Sequence, residues 1–332
     1  MRIIDFMDTA LHVVERSARA KRGEQVLIVT DTETSPLIAQ ALAAAAHAVG
    51  AVPVVATVLR LPYPAAEVPE NVAAAIAASE VTIAPASQPI THSRTIQEAI
   101  SKHHRRFVSM PGITEHMMTA GASTVDHDTL ESVTKATAEA LKDARSVRAE
   151  SRNGTSIEFS IEGRTVYPNY GVIAGDWGLA MFPDGEVSVA PVEDSLNGTI
   201  VVDGYQLGVG ALRQPLRLTL RNGIVTSVEG GLEARALRRL IEAYGDVNTY
   251  RVGEFAIGTN PEAQLIGSAG EDKKMLGTIH FSLGDNLIMG GRNQSKLHLD
   301  GVVLFPSLHV DGETLIEDGV LKLQGSRRLL GE

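Results

Sequence analysis

The sequence contains no cysteine among its 332 residues, which excludes a disulfide scaffold, a thiolate zinc site, an iron–sulfur cluster and a cysteine nucleophile. Basic residues are also fewer than acidic ones. The 30 Lys and Arg face 40 Asp and Glu, and the formal charge of −10 disfavours nucleic acids and anionic membranes as partners. The longest apolar stretch, residues 41–55, is shorter than the about 20 residues that a membrane span requires. The metal ligands that remain are oxygen and imidazole.

The first residues carry two acids, Asp5 and Asp8, where a signal peptide needs a basic flank. No apolar segment with a small-residue cleavage site follows them. We therefore expect a cytoplasmic protein whose partner is a small-molecule substrate.

The first half of the chain alternates short apolar segments with helical patterns. The predicted strands are 25–29, 54–58, 81–84 and 106–109, and the predicted helices are 36–49, 71–78, 95–102 and 126–147. Buried strands joined by helices indicate a parallel sheet with right-handed crossovers. The fold class is therefore α/β, with a doubly wound parallel-sheet domain expected at residues 1–147.

Helical patterns nearly disappear after residue 147. Short alternating segments between Asn-Gly, Asp-Gly and Gly-Gly turn signals predict strands at 156–161, 187–189, 199–202, 216–220, 223–229 and 302–305. Only 232–244 has a convincing helical periodicity. We expect a second, sheet-rich α+β domain at residues 148–332, and we expect it to be the catalytic, metal-binding domain.

The second half has a segment rich in glycine and in potential metal ligands. It contains His280 and, further along, the pair His298-Leu-Asp300. Residues i and i+2 of a strand point to the same face, so His298 and Asp300 can converge on one cation. A second pair, His309-Val-Asp311, is followed by glycine, and Asp-Gly predicts a hairpin turn. We therefore expect Asp311 to shape a turn rather than bind a metal.

Two glutamates complete the candidate set. Glu186 and Glu254 each follow a glycine and precede apolar residues, so each carboxylate lies beside a core, where burial without a partner is costly. An exposed strand glutamate is the alternative at both positions. Together with the histidines and Asp300, these residues form an oxygen-rich set that can hold one or two divalent ions such as Zn, Mn, Co or Fe(II).

Five segments resemble, in order and approximate spacing, the signature segments of the thermophilic aminopeptidases, the M29 or aminopeptidase T-like peptidases. They are Gly185-Glu186-Val-Ser-Val-Ala-Pro191, Ser195-Leu-Asn-Gly198, Gly253-Glu254-Phe-Ala-Ile-Gly258, Gly277-Thr-Ile-His280 and His298-Leu-Asp300. Residues 21–30 are similar to that family's first strand, so the likeness covers most of the chain. The resemblance implies that Glu186, Glu254, His280, His298 and Asp300 bind a pair of divalent ions, and that the subunits form a homodimer.

The chain departs from those peptidases at one catalytic position. Seven residues after the first metal histidine they have a tyrosine thought to assist catalysis, whereas this chain has Leu287. Removing a donor to the developing oxyanion typically lowers the rate by about 10²–10³. We therefore expect poor cleavage of ordinary peptides, and an apolar wall formed by Leu283, Leu287 and Ile288.

A shorter relative of the same fold, the 2,5-dihydroxypyridine 5,6-dioxygenases, resembles the chain better in length. That resemblance implies one Fe(II) ion bound by a His-x-Asp pair that matches His298 and Asp300. The dioxygenases have a histidine where Glu254 stands. Their substrate-side Leu-His-Ser is comparable to Thr91-His92-Ser93.

Three functions remain in competition. The first is a metallohydrolase that cleaves an amide or peptide-like C–N bond in a small or cyclic substrate, with Zn, Co or Mn activating water and Glu186 or Glu254 transferring the proton. The second is a mononuclear Fe(II) ring-cleaving dioxygenase of hydroxylated pyridines, with Glu254, His298 and Asp300 as ligands and His92 as acid and base. The third is a non-enzymatic binder of a small ligand at the ends of parallel strands. No Gly-x-Gly-x-x-Gly follows the first strand, so nucleotide binding has little support.

Overall fold

The computed structural model describes residues 1–63, 66–91 and 93–323. It divides into two compact units, one formed by residues 1–124 and 169–184 and the other by 125–168 and 185–332. The domain bounds 1–147 and 148–332 stay a prediction.

The helices are α1 (Met7–His12), α2 (Pro36–Ala48), α3 (Glu70–Ala78), α4 (Arg94–Ser101), α5 (His127–Leu141), α6 (Leu232–Tyr244) and α7 (Ala269–Asp272). The strands of the first unit are β1 (Gln25–Asp31), β2 (Val52–Val58), β3 (Val81–Ala86), β4 (Arg106–Pro111) and β8 (Gly178–Met181). The remaining strands are β5 (Ser146–Glu150), β6 (Ser156–Ser160), β7 (Val166–Asn169), β9 (Glu186–Val189), β10 (Asn197–Val202), β11 (Tyr205–Gln206), β12 (Gly210–Ala211), β13 (Leu216–Arg221), β14 (Ile224–Glu229), β15 (Val252–Gly258), β16 (Ile279–Gly284), β17 (His298–Val303), β18 (Ser307–Val310), β19 (Glu313–Glu317) and β20 (Val320–Leu321).

The first unit is built on a five-stranded parallel sheet of order β2-β1-β3-β4-β8. Alternate residues of β1 belong to different cores. Val26 and Ile28 pack in a cluster with Leu42 of α2, whereas Leu27 packs in another with Ile76 of α3. Both faces of the sheet are therefore covered, which confirms the doubly wound α/β architecture.

Two features of this region differ from the sequence predictions. The fifth strand, β8, comes from beyond the predicted border of the first domain. The helix predicted at 126–147 is too long, because α5 ends at Leu141 and Asp143 takes a left-handed conformation with φ of 60°. The chain then reverses and enters β5, so Val147 lies in a strand.

The second unit contains an eight-stranded antiparallel sheet, β14-β13-β10-β6-β5-β18-β19-β20, and a seven-stranded sheet, β12-β11-β17-β16-β15-β9-β7. One apolar core unites the two sheets with α5 and α6. Phe159 of β6 lies 5.0 Å, ring centre to ring centre, from Phe255 of β15, and Phe255 lies 5.4 Å from Phe281 of β16. The predicted sheet-rich α+β architecture is confirmed.

Candidate metal centre

The predicted ligands lie on four adjacent strands of the seven-stranded sheet, in the spatial order β17, β16, β15 and β9. Along these strands the apolar side chains of Leu299, Phe281, Phe255 and Val187 enter the core. Because strand residues alternate between faces, the polar residues beside them share the opposite face. They are Glu186 on β9, Glu254 on β15, His280 on β16, and His298 and Asp300 on β17. The structure therefore brings together five residues spread over more than a hundred positions of sequence.

A β-bulge at Gly253 directs Glu254 to this polar face. Val252 pairs with Leu283 and Glu254 with Ser282, so the strand register shifts by one residue between them. A Cβ atom at Gly253 would lie 2.4 Å from a backbone oxygen of Gly284, which only glycine avoids. The bulge therefore allows Val252 and Phe255 to face the core while Glu254 faces the polar side.

Glycine is also required immediately before Glu186. Gly185 has a φ of +129°, and a Cβ atom there would lie 2.6 Å from the Cβ of Asn260. This close approach brings the start of β9 against the segment that leads to α7.

The ligand candidates form two groups that share Glu254. The first group is Glu186, Glu254 and His280, and the second is Glu254, His298 and Asp300. Within each group, the potential ligand atoms lie within 4.8 Å of one another. This arrangement can hold one ion in either group, or two ions bridged by Glu254.

The first group is fully buried and loosely spaced. Nε2 of His280 lies 3.6 Å from Oε2 of Glu186 and 3.9 Å from Oε1 of Glu254. Neither ring nitrogen of His280 has a hydrogen-bond partner among the residues that the structure describes. Burial, reinforced by the nearby Lys273 ammonium group, lowers the pKa of His280, so the imidazole is neutral and can act as a ligand.

The second group is tighter and opens to solvent on one side. Nε2 of His298 lies 2.8 Å from Oε2 of Glu254 and 3.2 Å from Oδ1 of Asp300. The His298 side chain is 16% exposed, whereas both carboxylates are buried. Two ligand atoms at right angles, each about 2.1 Å from an ion, lie about 3.0 Å apart. The two separations measured from Nε2 of His298 are therefore close to those around one octahedrally coordinated ion, with room for further ligands from the solvent side.

Outer contacts orient the second group. Nδ1 of His298 lies 2.9 Å from the backbone oxygen of Asp285, so the ring can donate there and direct Nε2 towards the carboxylates. The Ser282 hydroxyl shares its one proton between Oδ1 of Asp300, at 2.5 Å, and Oε2 of Glu254, at 3.3 Å. Burial opposes a charge on His298, but its hydrogen bonds with Asp300 and Glu254 outweigh that cost and raise its pKa well above the usual value.

Two lysines, which the sequence analysis missed, extend into the site from the end of α7. Nζ of Lys273 lies 2.9 Å from Oδ2 of Asp300 and 3.7 Å from Oε2 of Glu186. Nζ of Lys274 lies 2.9 Å from Oε2 of Glu186, and this side chain is almost completely buried. A Lys-Lys pair, separated by two residues from the Gly-Thr-Ile-His segment, is the sequence signal for them, and it is also typical of an exposed turn.

The lysines and carboxylates hold each other in the charged state. Burial raises the pKa of Glu186, but the Lys273 and Lys274 ammonium groups outweigh it and lower that pKa to about 2. For Asp300, burial is likewise outweighed by Lys273 and His298, and its pKa lies well below the usual value. Burial lowers the pKa of Lys273, but the carboxylates of Asp300 and Glu186 raise it above the ordinary lysine value.

Other sequence-predicted residues lie elsewhere. His92 lies outside the described residues, so its catalytic assignment stays a prediction. His309, on β18 of the other sheet, has its Nδ1 atom 3.1 Å from the Thr314 hydroxyl. Asp311 lies in the turn between β18 and β19. It accepts hydrogen bonds from the backbone N–H groups of Arg145 and Ser146. The structural interpretation of this second His-x-Asp pair is confirmed.

The predicted apolar wall is wrong in one member. Leu287 and Ile288 are exposed in a 3₁₀ turn, but Leu283 belongs to the core cluster and is 1% exposed. The reason is strand alternation, since Leu283 follows Ser282 on β16 and therefore faces away from the polar side of the sheet.

No helix of the described part of the chain is long and apolar enough to cross a lipid bilayer.

A family model described as 2,5-dihydroxypyridine 5,6-dioxygenase, named NicX, matches residues 6–323. A 2,5-dihydroxypyridine 5,6-dioxygenase from Pseudomonas putida KT2440 is 25% identical over 191 residues, which cover 54% of this chain and 55% of that protein. The match thus spans about half the length of that relative.

Two solved structures share the fold. The 2,5-dihydroxypyridine dioxygenase from Pseudomonas putida KT2440 has a TM-score of 0.81 at 21% identity, covering 98% of this chain and 99% of that one. AmpT from Thermus thermophilus has a TM-score of 0.70 at 14% identity, covering 96% of this chain and 99% of that one. The resemblance to the M29 aminopeptidases and to their shorter relatives is confirmed at the level of the fold. Because the family model extends over nearly the whole chain, the protein belongs to the NicX, or 2,5-dihydroxypyridine 5,6-dioxygenase, family.

Proposed function

We propose that the protein is a ring-cleaving dioxygenase that uses one Fe(II) ion to act on a hydroxylated pyridine ring. The observation that carries this proposal is the geometry of the second group, in which Glu254, His298 and Asp300 are spaced for one octahedral ion and His298 is open to solvent. The family match over residues 6–323 supports the same reaction class. The dioxygenase, which was the alternative in the sequence analysis, thereby becomes the preferred function.

Glu254, His298 and Asp300 would hold the iron as a variant of the facial triad with two carboxylates and one imidazole. Bound Fe(II) would supply the one-electron chemistry that a reaction with O₂ requires. Glu254 stands where the dioxygenases have histidine, so this centre carries one more negative charge than theirs. That charge is offset by Lys273, whose ammonium group lies 2.9 Å from Asp300.

The chain's own residues would orient the ring and control its charge. With one divalent ion bound, the three carboxylates and the two lysines would leave one positive charge at the centre, which favours an anionic hydroxypyridine over a neutral one. Ser282 keeps the two carboxylates facing His298. We assign the substrate-side proton transfer to His92, as the resemblance of Thr91-His92-Ser93 to the dioxygenase segment implies.

The test is oxygen uptake by protein reconstituted with Fe(II) under anaerobic conditions and then mixed with 2,5-dihydroxypyridine and O₂. We expect one O₂ consumed per ring opened, with uptake lost in His298→Ala. The variant His92→Ala should slow turnover while leaving the iron content unchanged. Wild-type protein that binds iron but consumes no oxygen with this or related hydroxylated pyridines would contradict the proposal.

A metallohydrolase is the second candidate, and one observation favours it. The first group offers His280, whose ring nitrogens have no hydrogen-bond partner among the described residues, together with two carboxylates, as a two-ion site would require. In this function Zn, Co or Mn would replace iron, and Glu186 or Glu254 would move the proton. Hydrolysis of a small or cyclic amide without O₂, restored by one of these metals, would establish it. With Leu287 in place of a tyrosine we expect little or no release of amines from leucine or alanine arylamides.

We also retain a homodimer and a cytoplasmic location as proposals drawn from the sequence. Analytical ultracentrifugation tests the first, and fractionation of cells that produce the protein tests the second.

A further inference from the structure

Both lysines lie beside Glu186, a carboxylate that a second metal ion in the first group would use as a ligand. Lys274 pairs with Oε2 of Glu186 at 2.9 Å, and Lys273 lies 3.7 Å from the same oxygen. Lys273 also donates to Oδ2 of Asp300, the oxygen that faces away from His298. The Glu186 carboxylate is therefore already paired with two ammonium groups, which compete with a metal ion in the first group.

The charges of the centre favour a single ion. Glu186, Glu254 and Asp300 contribute three negative charges, and the two lysines neutralise two of them. One divalent ion then leaves a single positive charge, whereas two would leave three positive charges in a buried site, where unpaired charge is costly. Without both lysines, two divalent ions would leave the same single positive charge. The lysine pair is thus electrostatically equivalent to one divalent ion.

The first group nevertheless retains the donors of a metal site. His280 is buried, and Nε2 faces Glu186 and Glu254 at 3.6 and 3.9 Å. These spacings exceed the about 3.4 Å expected between two ligands of a tetrahedral ion with bonds of about 2.1 Å. The group is therefore close to, but wider than, the geometry that an ion would impose.

We propose that the Lys273 and Lys274 ammonium groups take the place of a second divalent ion, so that the first group is a latent metal site and the wild-type centre holds one ion. This inference rests on the proposed metal centre at Glu254, His298 and Asp300. In it, Lys273 and Lys274 are positioning residues that determine how many ions the chain binds.

The test counts metal ions per chain in purified protein dialysed to equilibrium against Co²⁺, by elemental analysis and by the visible spectrum of bound Co²⁺. Wild type should bind one ion, and the double variant Lys273→Met/Lys274→Met should bind two. Adding His280→Ala to the double variant should return the count to one, which locates the second ion in the first group. Lys102→Met, at an exposed lysine paired with Glu98 on α4, is the control and should bind one ion.

Burial of Lys274 makes folding of the double variant a concern, so Lys273→Met is measured in parallel and should show a second, weaker Co²⁺ site. Two ions in wild type, or one ion in every folded lysine variant at saturating Co²⁺, would overturn the inference. No bound ion in wild type would instead reject the metal centre itself, and the inference with it. One ion in wild type and two in the double variant would support the inference whichever reaction the enzyme catalyses.

Discussion

Nε2 of His298 lies 3.2 Å from Oδ1 of Asp300, two residues further along the same strand. The other carboxylate oxygen, Oδ2, accepts a hydrogen bond from Lys273 at 2.9 Å. Asp300 therefore faces the proposed metal position with one oxygen and a fixed cation with the other. This division assigns different roles to the two sides of the site.

The two His-x-Asp pairs should respond differently to mutation. His298→Ala removes a proposed ligand, so metal affinity should fall by more than the about 10–100-fold typical of an outer-contact mutation. His309→Ala should leave metal affinity unchanged, because His309 contacts Thr314 on the other sheet. Elemental analysis and competition with a chelator measure both. Equal losses would show that the wrong pair was chosen.

Metal binding should release a proton near neutral pH. The pKa of His298 is raised well above its usual value, because hydrogen bonds to Asp300 and Glu254 outweigh the cost of burial, so the metal-free imidazole is protonated. A metal ligand must be neutral, and affinity should therefore rise with pH by up to about tenfold per unit until His298 has lost its proton. The stability that charged His298 gives the metal-free protein is fully present below its unfolded pKa of about 6.5 and is lost as pH rises through the folded pKa.

Calorimetric titration with metal in two buffers of different ionisation enthalpy measures the released proton directly. The variant His298→Gln should abolish this part of the signal. An affinity that does not change between pH 6 and pH 8 would contradict the prediction.

Ser282 should affect metal affinity without being a ligand. Its hydroxyl shares one proton between Asp300 and Glu254, so Ser282→Ala frees the two carboxylates to rotate and should weaken metal binding by about 10–100-fold. Ser227→Ala is the matched control, since Ser227 lies on β14 and bonds to Glu229. An unchanged affinity in Ser282→Ala would show that packing alone orients the carboxylates.

The aromatic core beneath the site should contribute strongly to the free energy of unfolding. Phe255 follows Glu254 on β15 and packs against both Phe159 and Phe281. Phe255→Ala should lower the free energy of unfolding by about 3–5 kcal/mol, measured by urea denaturation. Val247→Ala, at an exposed position, should change it by less than about 0.5 kcal/mol. A comparable small change for Phe255→Ala would contradict the assigned packing.

Local patterns were sufficient for the helices and strands between residues 25 and 111, but they did not predict β15 and β16, the strands that carry Glu254 and His280. The predicted strand at 25–29 is contained in β1, and the helix predicted at 232–244 coincides with α6. The exceptions depend on long-range pairing. β8 is a four-residue strand whose parallel partner is β4, and α5 ends earlier than its helical pattern suggests because the chain reverses to pair β5 with β18.

By itself, the sequence determined that His298 and Asp300 share one side of a strand, because alternation in a strand is a local property. That Glu186, Glu254 and His280 join them was implied by the family resemblance and not by a local pattern. Only the tertiary structure decided which of them meet in which group, since that depends on the strand order β17-β16-β15-β9 and on the bulge at Gly253. It also decided that Lys273 and Lys274 enter the site. Nothing in a short Lys-Lys pair distinguishes a solvated turn from a buried ion pair, because the difference is made by carboxylates on strands distant in sequence.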